Sequence, residues 1–181
     1  EAAEAFGRLL EITPDNAEVW FEQGIIFAKL TRHKDAISAF DKALSVKPDY
    51  FAAYYHKARS LDILEQPNDA IVVYNQALDL DPAHSPSLHH KGVALTRIGR
   101  FEEAIKAFDR TLEIDSSFAE AWFDKGKALA SLGMFREGIR AFDKALIIDK
   151  NYAEVYFHKV LVLANLGRHD EAIIAFNKNI D

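Results

Sequence analysis

The chain has 181 residues, 49% of them apolar, with 28 acids against 22 bases and a net charge of −6. That balance argues against broad nucleic-acid binding, which needs a basic face to displace counterions, and the absence of cysteine excludes disulfides and thiolate metal sites. No apolar run is long enough to span a bilayer and no charged-then-apolar leader opens the chain, so no membrane contact is expected and the expected setting is cytoplasmic.

An aromatic residue returns every 34 positions, at Phe6, Phe40, Tyr74, Phe108, Phe142 and Phe176. Two further ladders keep the step: Ile37/Ile71/Ile105/Ile139/Ile173 and Leu10/Leu44/Leu78/Leu112/Leu146/Ile180. A fixed interval of this length means one supersecondary unit copied and stacked, with its core as a ribbon between neighbours.

In chain order, residues 1–16 read as the second helix of an earlier unit. Ala17 to about Leu30 carries apolar residues at helical spacing, Val19, Trp20, Ile25, Ile26, Phe27 and Leu30. Thr31-Arg32-His33 breaks the pattern. Asp35 to Val46 forms a second helix with Ala36, Ile37, Phe40, Ala43 and Leu44 on one stripe, and Pro48-Asp49 closes the unit. The same hairpin recurs over 51–84, 85–118 and 119–152, and incompletely over 153–181; no segment reads as a strand. Gly24, Gly92 and Gly126, with Ala58 in the second unit, mark close approach between the two helices, and the aromatic ladder is expected to fill the wider space beside them. Pro67, with Glu65 where other units place Gly99, Gly133 and Gly167, predicts a reshaped turn. Val160 in the glycine position predicts a slightly opened last hairpin. The chain starts inside a unit, which suggests a piece of a longer protein.

Trp20, Gly24, Phe27, Ala36, Phe40, Ala43 and Pro48 resemble the tetratricopeptide repeat (TPR) signature in period, residue type and offset. The resemblance implies an all-α, right-handed superhelical solenoid of antiparallel helix hairpins. It also implies a protein–protein interaction scaffold whose first helices line a concave groove. Lys57, Lys91, Lys125 and Lys159 stand where the family usually has Leu; their stems are expected to cover apolar surface while the ammonium reaches water.

The groove positions that the resemblance implies give the candidate peptide-binding residues. These are Phe21 and Glu22; Tyr55, His56 and Arg59; His89, His90 and Arg97; Phe123, Asp124 and Lys127; and Phe157 and His158. Phe21, Tyr55, His89, Phe123 and Phe157 form a ring stripe that supplies contact area at little entropic cost, or else packs between hairpins. His56, Arg59, His89, His90 and Arg97 make a basic centre flanked by Glu18, Glu22, Glu120, Asp124 and Glu154. That pattern suits a peptide or protein partner with an acidic segment. The carboxylate clamp of chaperone-binding members is missing, because Glu120 and Asp124 stand where it needs bases.

No phosphate loop, nucleophile elbow or Cys/His arrangement is present, so no catalytic residue, cofactor or metal is assigned. His56, His89, His90 and Asp124 carry metal-type donors, but none has the spacing of a helical metal motif. Two other roles are open: a self-assembling module joined through exposed terminal helices, or the regulatory arm of an enzyme.

Overall fold

The structure, a computed structural model, describes residues 15–178. Phe6, Leu10, Ile180 and nearly all of the helix expected over 1–16 lie outside the described residues. Those residues form ten α-helices and no strand. In order they are α1 (Ala17–Lys29), α2 (His33–Val46), α3 (Phe51–Ile63), α4 (Pro67–Leu80) and α5 (Ser85–Arg97). Then come α6 (Phe101–Ile114), α7 (Ala119–Ser131), α8 (Phe135–Ile148), α9 (Ala153–Asn165) and α10 (His169–Asn177). The chain divides into two compact units, Glu1–Ser87 and Leu88–Asp181. In the first, α1 packs on α2, α2 on α3, and α3 on α4; in the second, α6 through α10 pack in the same sequential way. Among the described residues no helix is long and apolar enough to cross a membrane.

Each first helix stops at one residue with left-handed backbone, again on the 34-residue step: Thr31 (φ 60°), Glu65 (57°), Gly99 (75°), Gly133 (75°) and Gly167 (70°). The following amide then reaches back over the helix end, from Arg32 to the Phe27 carbonyl at 2.9 Å and from Met134 to Leu129 at 2.9 Å. This satisfies carbonyls that the helix end would otherwise orphan. The turn at 65–67 is therefore not reshaped as expected. Glu65 accepts the left-handed geometry that glycine takes elsewhere, and Gln66 N–H reaches the Leu61 carbonyl at 3.0 Å. Pro67 occupies the first position of α4, where its missing N–H costs nothing.

The aromatic ladder forms the core, with Phe40, Tyr74, Phe108 and Phe142 fully buried. The rings do not sit beside the glycines, as expected, but on them. A Cβ added at Gly24 would lie 2.5 Å from Phe40, and one added at Gly92 would lie 2.5 Å from Phe108. Gly126 meets Phe142 in the same way. Glycine is present to admit a ring. The expected backbone approach is also present at one pair: a Cβ added at Gly138 would come 3.1 Å from the Gly126 carbonyl oxygen. The ladder's last described ring breaks the pattern: Phe176 is 53% exposed.

The lysines of the first helices do more than reach water. Lys57 pairs with Asp41 at 2.6 Å, Lys125 with Asp109 at 2.5 Å and Lys159 with Asp143 at 2.5 Å. Each bond joins a first helix to the second helix before it. With the carboxylates half exposed, each contributes less than about 1 kcal/mol to stability, but it fixes the lysine stem over the core.

Candidate functional site

In the first unit the rings of α1 and α3 form an interlocked cluster. Phe21 packs against Tyr50 at 5.0 Å between centroids, Phe40 at 5.8 Å and His56 at 5.6 Å. Tyr55 meets His56 at 5.2 Å and His84 at 5.0 Å, and its hydroxyl accepts from Arg59 Nη1 at 3.2 Å. Burial, and then the neighbouring Arg59, lowers the His56 pKa, so this imidazole favours its neutral form. Burial likewise lowers the His84 pKa, and its Nδ1 accepts the Ser87 amide at 3.2 Å. Glu22 is exposed.

The second unit repeats the cluster with one change of chemistry. Phe123 packs against Tyr152 at 5.1 Å, Phe142 at 6.0 Å and His158 at 5.3 Å, the last edge-on. Thus the ring of one first helix is capped by a histidine on the next first helix, His56 over Phe21 and His158 over Phe123. Between α5 and α7 the ring is itself a histidine, and the cap is Asp124. His89 Nε2–H donates to Asp124 Oδ2 at 2.8 Å, and Lys127 holds Asp124 Oδ1 at 2.7 Å. Burial would raise the Asp124 pKa, but the His89 hydrogen bond and Lys127 together outweigh it and the net shift is downward. Lys127 also lies 4.3 Å from the centre of the Phe123 ring. Burial, and then Lys127, lowers the His158 pKa.

These contacts sort the candidates. His89 (7% exposed) and Phe123 (3%) belong to the packing between helices, and His89 spends its Nε2–H on Asp124. His89 is therefore not a base offered to a ligand, and the expected basic centre loses it as well as the depressed His56. His90 is partly buried with its ring 5.4 Å from His89, whereas Arg97 is exposed at the end of α5. His56 and Arg59 belong to the first unit, and His90 and Arg97 to the second. Phe157 is the open member of the ring stripe, 56% exposed. Among the described residues no cluster of three His, Asp or Glu side chains could hold a metal ion.

The structure brings Lys127 and His158 together at a cleft of about 420 Å³. Thr96 of α5, Ala130 and Ser131 of α7, and Leu161, Val162 and Asn165 of α9 complete its first-helix wall, and Phe135 and Phe142 form its floor. Leu161 is 46% exposed, next to the open Phe157. The groove register implied Lys127 and His158 of this lining. It missed Phe135, which opens a second helix and carries no groove signal in the sequence.

Four family profiles match the chain. Those described as tetratricopeptide repeat cover residues 1–51, 27–85, 119–152 and 153–181, and one described as TPR repeat covers 92–133. No curated protein sequence matches. Solved structures share the fold: a MamA protein superposes with TM-score 0.87 at 23% identity over 91% of this chain and 90% of its own. Residues 41 to the end of MamA from Desulfovibrio magneticus RS-1 give 0.87 at 19% over 91% and 93%. YrrB, described as a TPR protein with an unusual peptide-binding site, gives 0.84 at 22% over 99% and 92%. The helix hairpins, the 34-residue step and the profiles agree, and the chain belongs to the tetratricopeptide repeat family as an all-α TPR solenoid.

Proposed function

We propose that the protein is a non-catalytic scaffold that holds a peptide or protein segment in the groove lined by its first helices. The observation that carries this reading is the cleft between α7 and α9. Leu161 and Phe157 are large apolar side chains left open to solvent beside Lys127, His158, Ser131 and Asn165. An apolar anchor with a few fixed polar groups around it is the usual make-up of a recognition pocket. The segment would seat an apolar residue on Leu161 and Phe157 and set an acidic residue near Lys127 or Arg97. In the first unit Phe21, Glu22, Tyr55, His56 and Arg59 offer the equivalent first-helix surface. In the second, His90, Asp124 and His158 complete the contact set, with His89 and Phe123 supporting it from behind. That YrrB is described as peptide-binding supports the reading.

The test is affinity capture followed by titration of the purified partner. Phe157→Ala/Leu161→Ala should weaken binding by at least about tenfold, or about 1.4 kcal/mol, as expected for central apolar anchors. A partner whose affinity is unchanged by that pair and by Lys127→Ala would refute the groove as the site. A second reading is favoured by the exposed face of α10, where Ile173, Ile174 and Phe176 are all open to solvent. Patches of this kind mark association surfaces. Sedimentation over a concentration series should then show self-association that Ile174→Glu abolishes; a single monomeric species throughout would reject it.

A further inference from the structure

Away from the groove, the second unit carries the same cleft three times on the 34-residue step, with volumes of about 270, 360 and 530 Å³. Each is built on one first helix; the smallest is walled by one second helix, α6, and the other two by the second helices on either side. Leu95, Leu129 and Leu163 recur on its floor beside Leu88, Trp122 and Tyr156. The floor also carries Lys91, Lys125 or Lys159, in the position where the family usually has an apolar residue. Lys125 lies 5.2 Å from the centre of the Trp122 ring, whose Nε1–H donates to the Ser116 carbonyl at 3.0 Å.

The charge of these clefts runs against that of the chain. Three bases line each one, facing one, two and two acids in order of increasing volume. Four of those acids are already bound within the protein: Asp109 by Lys125, Asp143 by Lys159, Glu103 by Arg100 and Glu171 by Arg168. The rim cations Lys106, Arg140, Lys144 and Lys150 are exposed and make no ion pair among the described residues. An apolar floor with surplus positive charge at its rim recurs within a chain of net charge −6.

We infer that this face of the second unit is a docking surface for an acidic protein segment. An apolar side chain of the segment seats on the Leu129/Trp122 floor or its equivalents. Flanking Asp or Glu side chains reach Arg140 and Lys144, or Lys106 and Arg110 one step before them. Charge complementarity selects this occupant, since a basic or neutral segment would leave the rim cations uncompensated. The regular spacing lets one extended partner engage adjacent clefts, which multiplies weak single contacts.

The test pans a displayed library of random short peptides on the whole protein, then measures a selected synthetic peptide by fluorescence anisotropy. The expected pool places Asp or Glu on both sides of an aromatic or aliphatic residue. Arg140→Glu/Lys144→Glu should weaken that peptide by at least about tenfold, with the larger loss at low salt. Arg140→Gln/Lys144→Gln should give an intermediate loss, and the groove pair Phe157→Ala/Leu161→Ala should leave affinity within about twofold. Enrichment without acids, or binding lost in the groove pair and kept in the rim pair, overturns the inference. So does equal displacement of the peptide by a single-stranded oligothymidylate, which would mark a general polyanion surface.

Discussion

Gly126→Ala sets two physical effects against each other. Alanine is the better helix former by about 1 kcal/mol, so propensity alone makes the substitution stabilising. The added methyl, however, lands on Phe142, with Cδ1 at 2.6 Å and Cζ at 3.1 Å, where ordinary carbon contacts begin near 3.5 Å. The ring would have to retreat by roughly 1 Å. It has nowhere to go, because Phe142 is fully buried and held by Phe123 at 6.0 Å between centroids and His158 at 6.4 Å. Overpacking of this kind costs about 1–3 kcal/mol, so the net expectation is destabilisation by about 1 kcal/mol or more. Urea unfolding followed by circular dichroism reads the shift in midpoint at unchanged slope. The double variant Gly126→Ala/Phe142→Leu supplies the control. Leucine vacates the contested volume, so the pair should cost less than the sum of its members by about 1 kcal/mol. A more stable Gly126→Ala protein, or strict additivity in the double variant, would refute the claim that the glycine exists to admit the ring.

Three further outcomes follow from the same geometry. Thr31 is β-branched yet sits at φ 60°, so Thr31→Gly should raise stability by about 1 kcal/mol, while Gly133→Ala at φ 75° should lower it by a similar amount although its Cβ meets nothing within 4 Å; thermal melts of both variants decide it. Burial lowers the His56, His84 and His158 pKa values, so the unfolded chain binds more protons as pH falls below about 6.5. Stability should therefore decline from pH 7 towards 5, and His56→Phe/His158→Phe should flatten that decline; an unchanged slope in urea titrations would count against it. Asp124→Ala strips the partner from buried His89 and should cost about 1–3 kcal/mol at neutral pH. In the intact protein the Asp124 contribution is present above the ordinary aspartate range near 4 and is lost below it, because its folded pKa is depressed; titration of stability between pH 5 and 3 in both proteins checks the sign.

The fold was legible because periodicity is a property of the whole chain. Gly24, Phe40 and Pro48 each carry a weak local signal, and their recurrence removes the ambiguity. What the sequence could not convey was which partner each side chain meets. Glycine and ring are 16 residues apart, at Gly126 and Phe142, and nothing in the linear order says that one rests on the other. The Lys125–Asp109 bond has the same separation and was invisible for the same reason. Glu65 looked like a disturbed turn because its preference disagrees with its neighbours at Gly99 and Gly133; the surrounding helix pair overrides that preference. His89 was read as a groove base from its place in the register and its residue type. Its burial, and the carboxylate 35 positions on that accepts its N–H hydrogen bond, follow from packing. The open Phe157 was placed on the right helix from the register, but its exposure follows from the neighbours it lacks.

The change of cap along the array, histidine over phenylalanine at two junctions and aspartate over histidine at a third, bears on modularity. A linear array built of equal parts invites cutting and rejoining at any seam. Here the seams carry keys. A hairpin moved from the 119–152 position into the 51–84 position would bring Asp124 against the Phe21 ring and leave a carboxylate facing hydrocarbon. A hairpin moved from 17–50 into 85–118 would set a phenyl ring where Asp124 awaits a donor. Recombination among the hairpins of this protein is thus restricted to segments that travel with the neighbour whose first helix caps their own.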